Sequence, residues 1–171
     1  MKQDSNKANR ITNALFVIYL VALCWILLFK LGVRFSYMGE RRVNLVPFNG
    51  TAMVNTEIIM NVLIFVPLGM YTGMLFQRWT FGKTLFFFLE ISLLFEALQF
   101  IFKVGAFDIT DVITNTAGGV IGFTILLVIQ KIFNNVVKTQ HCINLIAAIG
   151  TVVMIIMLVL LKLNMLPVRY Q

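Results

Sequence analysis

Apolar runs of about twenty residues recur along this chain, at 12–29, 56–76, 84–102, 109–130 and 142–162. Wound as a helix, a run of that length crosses the ~30 Å hydrocarbon layer of a bilayer. Unpaired backbone N–H and C=O groups are too costly in lipid, so each run has to be helical. A spanning barrel is excluded, because runs such as "IAAIGTVVMIIMLVLL" show no in–out alternation. With 60% hydrophobic residues, 16 Phe and only 12% charged residues, the chain is not a soluble globular domain. The fold class expected is all-α: a polytopic integral membrane protein with about five transmembrane helices in one bundle, forming one domain over residues 1–171.

The net charge of +7 points away from nucleic acid in such a chain, because Lys and Arg collect in short loops beside lipid head groups. Membrane lipids are therefore the expected partners. The first apolar run follows Lys2, Lys7 and Arg10 and has no small-residue cleavage site after it, so it reads as a retained anchor. The N-terminus is expected in the cytoplasm of a multi-pass cell-membrane protein, on the weight of that basic flank. The loops themselves do not decide it, since seven basic residues fall on each side. The loops at 30–55 and 103–108 are two spans apart and so emerge on one membrane face.

Polar residues gather at that shared face. Asn61 lies one helical turn beyond Glu57; Ser92, Glu96, Gln99 and Lys103 follow at spacings of four, three and four; Asp108, Asp111 and Asn115 follow at three and four. Counted at 1.5 Å per residue, Asn61, Glu96 and Asn115 come to one level, roughly 8–12 Å below the interface. An ionised residue at the centre of a span costs about 2.5–3.5 kcal/mol on insertion scales and less toward its ends. A matched set on three helices therefore points to a hydrated pocket open to one side. Arg41 and Arg42 offer charge from the first loop, and "NLVPF" (44–48) reads as an apolar turn set by Pro47 that re-enters the interface and roofs the pocket.

Each element also has a structural reading. Asp108 and Asp111 stand close to a capping box for the fourth helix. Gly118, Gly119 and Gly122 fit a helix-packing seam, and Pro67 fits a kink that frees a carbonyl. Glu96 and Gln99 lie mid-helix, where neither caps anything, so function is the favoured reading there. Cys24 and Cys142 read as small apolar residues.

These stretches resemble the VanZ family, membrane proteins of glycopeptide-resistance clusters. The similarity lies in "LFKL" (28–31), "NLVPF", "NVLIFVPLG" (61–69) and "FEALQFIFKVGAFDITDVITNTAGG" (95–119), a core of about 28–123 to which 142–162 adds a further span. The resemblance implies a Gram-positive cell-envelope protein that lowers susceptibility to teicoplanin and related lipid-bearing glycopeptides without making altered precursors. Carried over by residue, its motif selects Asn44, Pro47, Asn61, Pro67, Gly69, Glu96, Gln99, Asp108, Asp111, Asn115 and Gly118. One position departs: Gly105 stands where many members have arginine, leaving Lys103 or Arg41 and Arg42 as the sources of positive charge.

Two functional classes stay open. One is a membrane hydrolase or transferase using paired carboxylates. In it Glu96 is the acid or base, Asp111 with Asp108 supplies a second carboxylate or a divalent-cation site, and Asn61, Gln99, Asn115, Asn44, Arg41, Arg42 and Lys103 hold the substrate. The other is a non-catalytic module binding a lipid, a lipid-linked cell-wall precursor or the lipoglycopeptide itself. A small transporter is the weaker third reading, with no inverted repeat behind it. No HExxH, GxSxG, nucleotide loop or CxxC pair is present.

Overall fold

The computed structural model of the chain describes residues 2–29, 42–48 and 53–162, with side chains over 8–28, 42–48 and 57–152. Five helices follow in order: α1 (Lys2–Phe29), α2 (Met53–Leu75), α3 (Phe81–Phe102), α4 (Ile109–Phe133) and α5 (Val136–Lys162). Two short strands, β1 (Val43–Asn44) and β2 (Phe107–Asp108), precede α2 and α4. Ala8–Leu28, Glu57–Leu75, Phe81–Phe102 and Ile109–Phe133 are each long and apolar enough to cross a membrane. The protein is thus an all-α polytopic membrane protein. The fifth expected span, 142–162, falls within α5, where the side chains after Val152 lie outside the described residues.

Helix ends follow from local chemistry. Thr80 caps α3 by accepting the Lys83 N–H at 3.4 Å. Lys103 ends the same helix in the left-handed conformation, φ 57°, and Asn134 ends α4 at φ 47°. Pro67 sits inside α2 without ending it. It cannot donate to the Leu63 carbonyl one turn back, and the Tyr19 hydroxyl from α1 donates to the neighbouring Ile64 carbonyl at 2.7 Å.

Helices α2 and α4 pack most closely, and their glycines are the reason. A Cβ on Gly118 would overlap the Val62 carbonyl, one on Gly122 the Val66 carbonyl, and one on Gly69 the Gly119 carbonyl. Between apolar helices in lipid, such small residues supply close van der Waals contact in place of a hydrophobic driving force. Around this pair, Leu23 and Leu27 of α1, Phe65 and Leu68 of α2, and Phe88 and Phe95 of α3 form the main core. A second cluster joins Tyr71, Met74, Leu126 and Ile143. Val21, Leu63, Phe86 and Ile132 face outward, an arrangement suited to lipid contact rather than to water.

The strands are a small departure from a purely helical expectation. β1 pairs with β2 in parallel, Val43 opposite Phe107 and Asn44 opposite Asp108. The Phe107 N–H also donates to the Arg42 carbonyl at 3.0 Å. This pairing joins the two loops expected on one face, and it satisfies backbone groups next to the helices.

Candidate functional site

At that end of the bundle a cavity of about 120 Å³ opens among four helices. Asn61, Glu96, Gln99, Asp111 and Asn115 line it together with Glu57, and Ile26, Leu27, Met60 and Ile64 form its apolar wall. Glu96 is 1% exposed and Asn115 1% exposed, whereas Glu57 and Met60 are exposed and mark the mouth. The residues that helical spacing placed at one level thus share one hollow.

The hydrogen bonds assign each polar group a neighbour on another helix. Asn61 Nδ2 donates to Asp111 Oδ1 at 2.7 Å, joining α2 to α4. Asn115 Nδ2 donates to Ser92 Oγ at 3.2 Å, joining α4 to α3. Gln99 Nε2 donates to the Leu27 carbonyl at 3.0 Å, and Glu96 Oε2 accepts the Asp108 N–H at 2.9 Å. Leu27 lies in the last turn of α1 and Asp108 is the N-cap of α4, so both bonds satisfy backbone groups that helix ends leave over. The mid-helix pair therefore caps after all, but it caps neighbouring helices, which spacing within one helix does not show.

The capping box at α4 is correspondingly split. Asp108 Oδ1 accepts the Thr110 N–H at 2.7 Å, as an N-cap should, but the Asp108 N–H goes to Glu96 and not to Asp111. Asp108 Oδ2 accepts from Asn44 Nδ2 at 2.9 Å, and Asn44 Oδ1 accepts the Val46 N–H at 3.1 Å. The 42–48 loop is further held by the Phe48 N–H, which donates to Thr110 Oγ1 at 3.0 Å. Phe48 adopts φ 56°, a left-handed conformation that costs a non-glycine residue about 1–2 kcal/mol.

Several expected site residues stand elsewhere. Asp108, Asn44, Arg42 and Lys103 are not among the residues lining the cavity. Arg42 and Lys103 are exposed, and Asp108 and Asn44 bond each other. The "NLVPF" segment lies over the start of α4 and does not line the cavity; Leu45, Val46 and Phe48 are exposed. Arg41 lies outside the described residues. Among the described residues no group of three or more His, Cys, Asp or Glu is placed to hold a metal ion, and Asp108 and Asp111 are engaged with different amides. At Gly105 a Cβ would stand 2.9 Å from Gln99 Oε1.

Helix α1 adds Ile26 and Leu27 to the wall, residues that carry no polar signal in the sequence; Tyr19, whose hydroxyl needs an acceptor and finds the Ile64 carbonyl, is the α1 residue that could mark this packing.

A family model described as VanZ/LLP1 matches residues 16–134, which run from within α1 to the end of α4. Protein VanZ of Enterococcus faecium is 38% identical over 153 residues, covering 87% of this chain and 91% of that protein. No solved structure matches. The matched span contains the glycine seam, both strands and every residue lining the cavity, and the chain belongs to the VanZ/LLP1 family.

Proposed function

We propose that this protein confers low-level resistance to teicoplanin and other lipid-bearing glycopeptides through its intramembrane polar cavity, which binds a lipid or cell-wall component. The reading places the N-terminus in the cytoplasm and the cavity mouth toward the outer face. Kinship with Protein VanZ, together with the resistance role that the resemblance to the VanZ family implies, supports the phenotype. The observation that carries the site is the cavity itself, in which carboxylates and amides from α2, α3 and α4 meet at one level inside apolar spans. Insertion costs disfavour that arrangement unless it is hydrated, paired or occupied.

Binding is favoured over chemistry by how the carboxylates are used. Glu96 Oε2, Asp111 Oδ1 and both Asp108 oxygens accept from protein N–H groups, a pattern suited to holding the walls of a receptor site. A hydrolase or transferase is the second reading, supported by Glu96 and Asp111 lining one hollow.

The test is to express wild type, Glu96→Gln and Asp111→Asn in a susceptible Gram-positive host. Teicoplanin and vancomycin susceptibility are measured side by side, with membrane levels quantified. Selective protection against teicoplanin by wild type, lost in well-inserted variants, is the expected result. Equal protection from both variants removes the cavity from the function. Graded loss that scales with expression level favours binding, and full resistance from a few copies per cell favours catalysis.

A further inference from the structure

We infer that the cavity is loaded sideways from the lipid, through the seam between α1 and α2, and that its ligand is an amphiphile. A small polar head sits among the buried amides and carboxylates, and its hydrocarbon chain lies along Ile26, Met60 and Ile64. This deepens, and rests on, the reading of the cavity as a receptor site.

The lining is divided by helix. Among the described residues, every one that lines the cavity belongs to a membrane-spanning helix and none to the loops at that face. Asn61, Glu96, Gln99 and Asn115 are buried on α2, α3 and α4, whereas α1 contributes only Ile26 and Leu27. Met60 is 52% exposed, and Ile59 and Leu63 beside it are 57% and 56% exposed, so this rim belongs to the outward apolar surface of the bundle. Ile26 and Met60 stand two and three residues inside their spans, roughly 3–5 Å below the interface by the helical rise, and Ile64 lies one turn deeper. The opening thus faces the level at which lipid heads meet their chains.

A solute from water would leave the apolar half of this lining unused, and a hydrocarbon would leave the polar half unfilled. An amphiphile uses both. Exchanging a bilayer chain for the ligand's chain along the seam is close to neutral, because lipid tails are as apolar as the side chains there. Affinity and orientation then come from the few polar groups around the head. A hollow of about 120 Å³ admits a small head and excludes a sugar chain or a peptide.

The wall that yields is α1. Glycines set against carbonyls lock α2 to α4. At the cavity α1 is tied across by Gln99 Nε2, which donates to the Leu27 carbonyl at 3.0 Å, and by the Tyr19 hydroxyl, which donates to the Ile64 carbonyl at 2.7 Å. Side-chain ties of this kind part and re-form by rotation, which the backbone contacts of the glycine seam do not allow.

The experiment places the full chain in phosphatidylcholine nanodiscs and adds three amphiphiles that share one chain and differ in head charge: decanoylglycerol, decyl phosphate and decylamine. Glycerol, inorganic phosphate and ethylamine report the heads alone, and decane the chain alone. Thermal unfolding is read for wild type and for Met60→Trp and Ile26→Trp, in which an indole fills the seam from α2 or from α1. Leu94→Trp, at an exposed position of α3 that does not line the cavity, is the control. At least one amphiphile is expected to raise the unfolding temperature of wild type saturably, with no such rise from its head alone or from decane. Leu94→Trp is expected to keep that rise and the seam variants to lose it. The inference is overturned if no amphiphile gives a saturable rise, if a head alone matches it, if decane matches it, or if a folded seam variant retains it.

Teicoplanin susceptibility separates this outcome from the broader reading. If Met60→Trp loses the rise yet protects fully, the lateral site stands and the resistance role of the cavity fails. If no amphiphile acts on wild type while well-inserted Glu96→Gln loses protection, the cavity stands as the functional site and sideways loading fails.

Discussion

Glu96, in the middle of α3, accepts the backbone N–H of Asp108, the N-cap of α4, at 2.9 Å. The carboxylate that looks most catalytic in the sequence is also the partner of a helix start twelve residues on, so its two roles have to be separated by substitution. Glu96→Gln keeps an oxygen for the Asp108 N–H, whereas Glu96→Ala leaves that group without its acceptor. An unsatisfied buried donor costs about 1–3 kcal/mol. Unfolding in detergent is expected to show a loss of that size for Glu96→Ala and little loss for Glu96→Gln, while both lose teicoplanin protection.

The glycine seam sets a sharper limit. Gly122→Ala drives a methyl group into the Val66 carbonyl, and Gly118→Ala drives one into the Val62 carbonyl. Neither backbone can move without parting α2 from α4, so destabilisation of about 1–3 kcal/mol, the range for overpacked cores, is expected at each site. Gly150 on α5 has open space around it. Gly150→Ala is expected to be neutral or to stabilise by up to about 1 kcal/mol through helix propensity. Membrane protein levels and unfolding temperatures of the three variants check the contrast.

The Asn44 and Asp108 side chains offer a reciprocal exchange. Asp108→Asn sets two amide NH2 groups against each other or turns the amide oxygen away from the Thr110 N–H. Asn44→Asp sets two carboxylates together. Each single change is expected to expose residues 42–48 to proteolysis or to hydrogen exchange. The double variant Asn44→Asp with Asp108→Asn is expected to restore part of the protection, with a coupling of about 0.5–1.5 kcal/mol in the four-protein cycle.

A second polar network serves as a control for the first. Asn144 Nδ2 and Gln140 Nε2 on α5 donate to Thr12 Oγ1 on α1 at 2.9 and 2.7 Å, and Gln140 Nε2 also reaches Asn9 Oδ1 at 2.9 Å. Thr12 and Leu27 are separated by some 22 Å of helix at 1.5 Å per residue, far from the cavity. Side-chain hydrogen bonds between membrane helices average about 0.6 kcal/mol. Asn144→Ala is expected to lower stability by about 1 kcal/mol and to leave teicoplanin protection at wild-type level once protein amounts are matched.

Much of this molecule follows from the order of its residues. Runs of apolar side chains the length of a bilayer leave the backbone no choice but to become helices. Helices α2 to α4 begin and end within a few residues of the expected spans, and α1 ends where expected, at Phe29, but extends back to Lys2 through the polar start of the chain. Helical spacing likewise dictates that Glu96 and Gln99 share a face, and that Asp111 and Asn115 do. A rise of 1.5 Å per residue then brings Asn61, Glu96 and Asn115 to one depth. Gly118 and Gly122, four apart, announce a close contact because only a missing side chain lets two helix backbones approach.

Tertiary packing decided which atoms meet. Gln99 takes a carbonyl 72 residues away, Asn61 takes a carboxylate 50 residues away, and Glu96 caps a helix other than its own. Periodicity along one helix says nothing about how far another is rotated or displaced, and these partners depend on that. The same packing drew Asp108 away from the cavity toward Asn44 and brought Ile26 and Leu27 into its wall. Local sequence therefore determined the helices and the faces they present. The separation of α2 and α4, set by glycines against carbonyls, decided what those faces enclose.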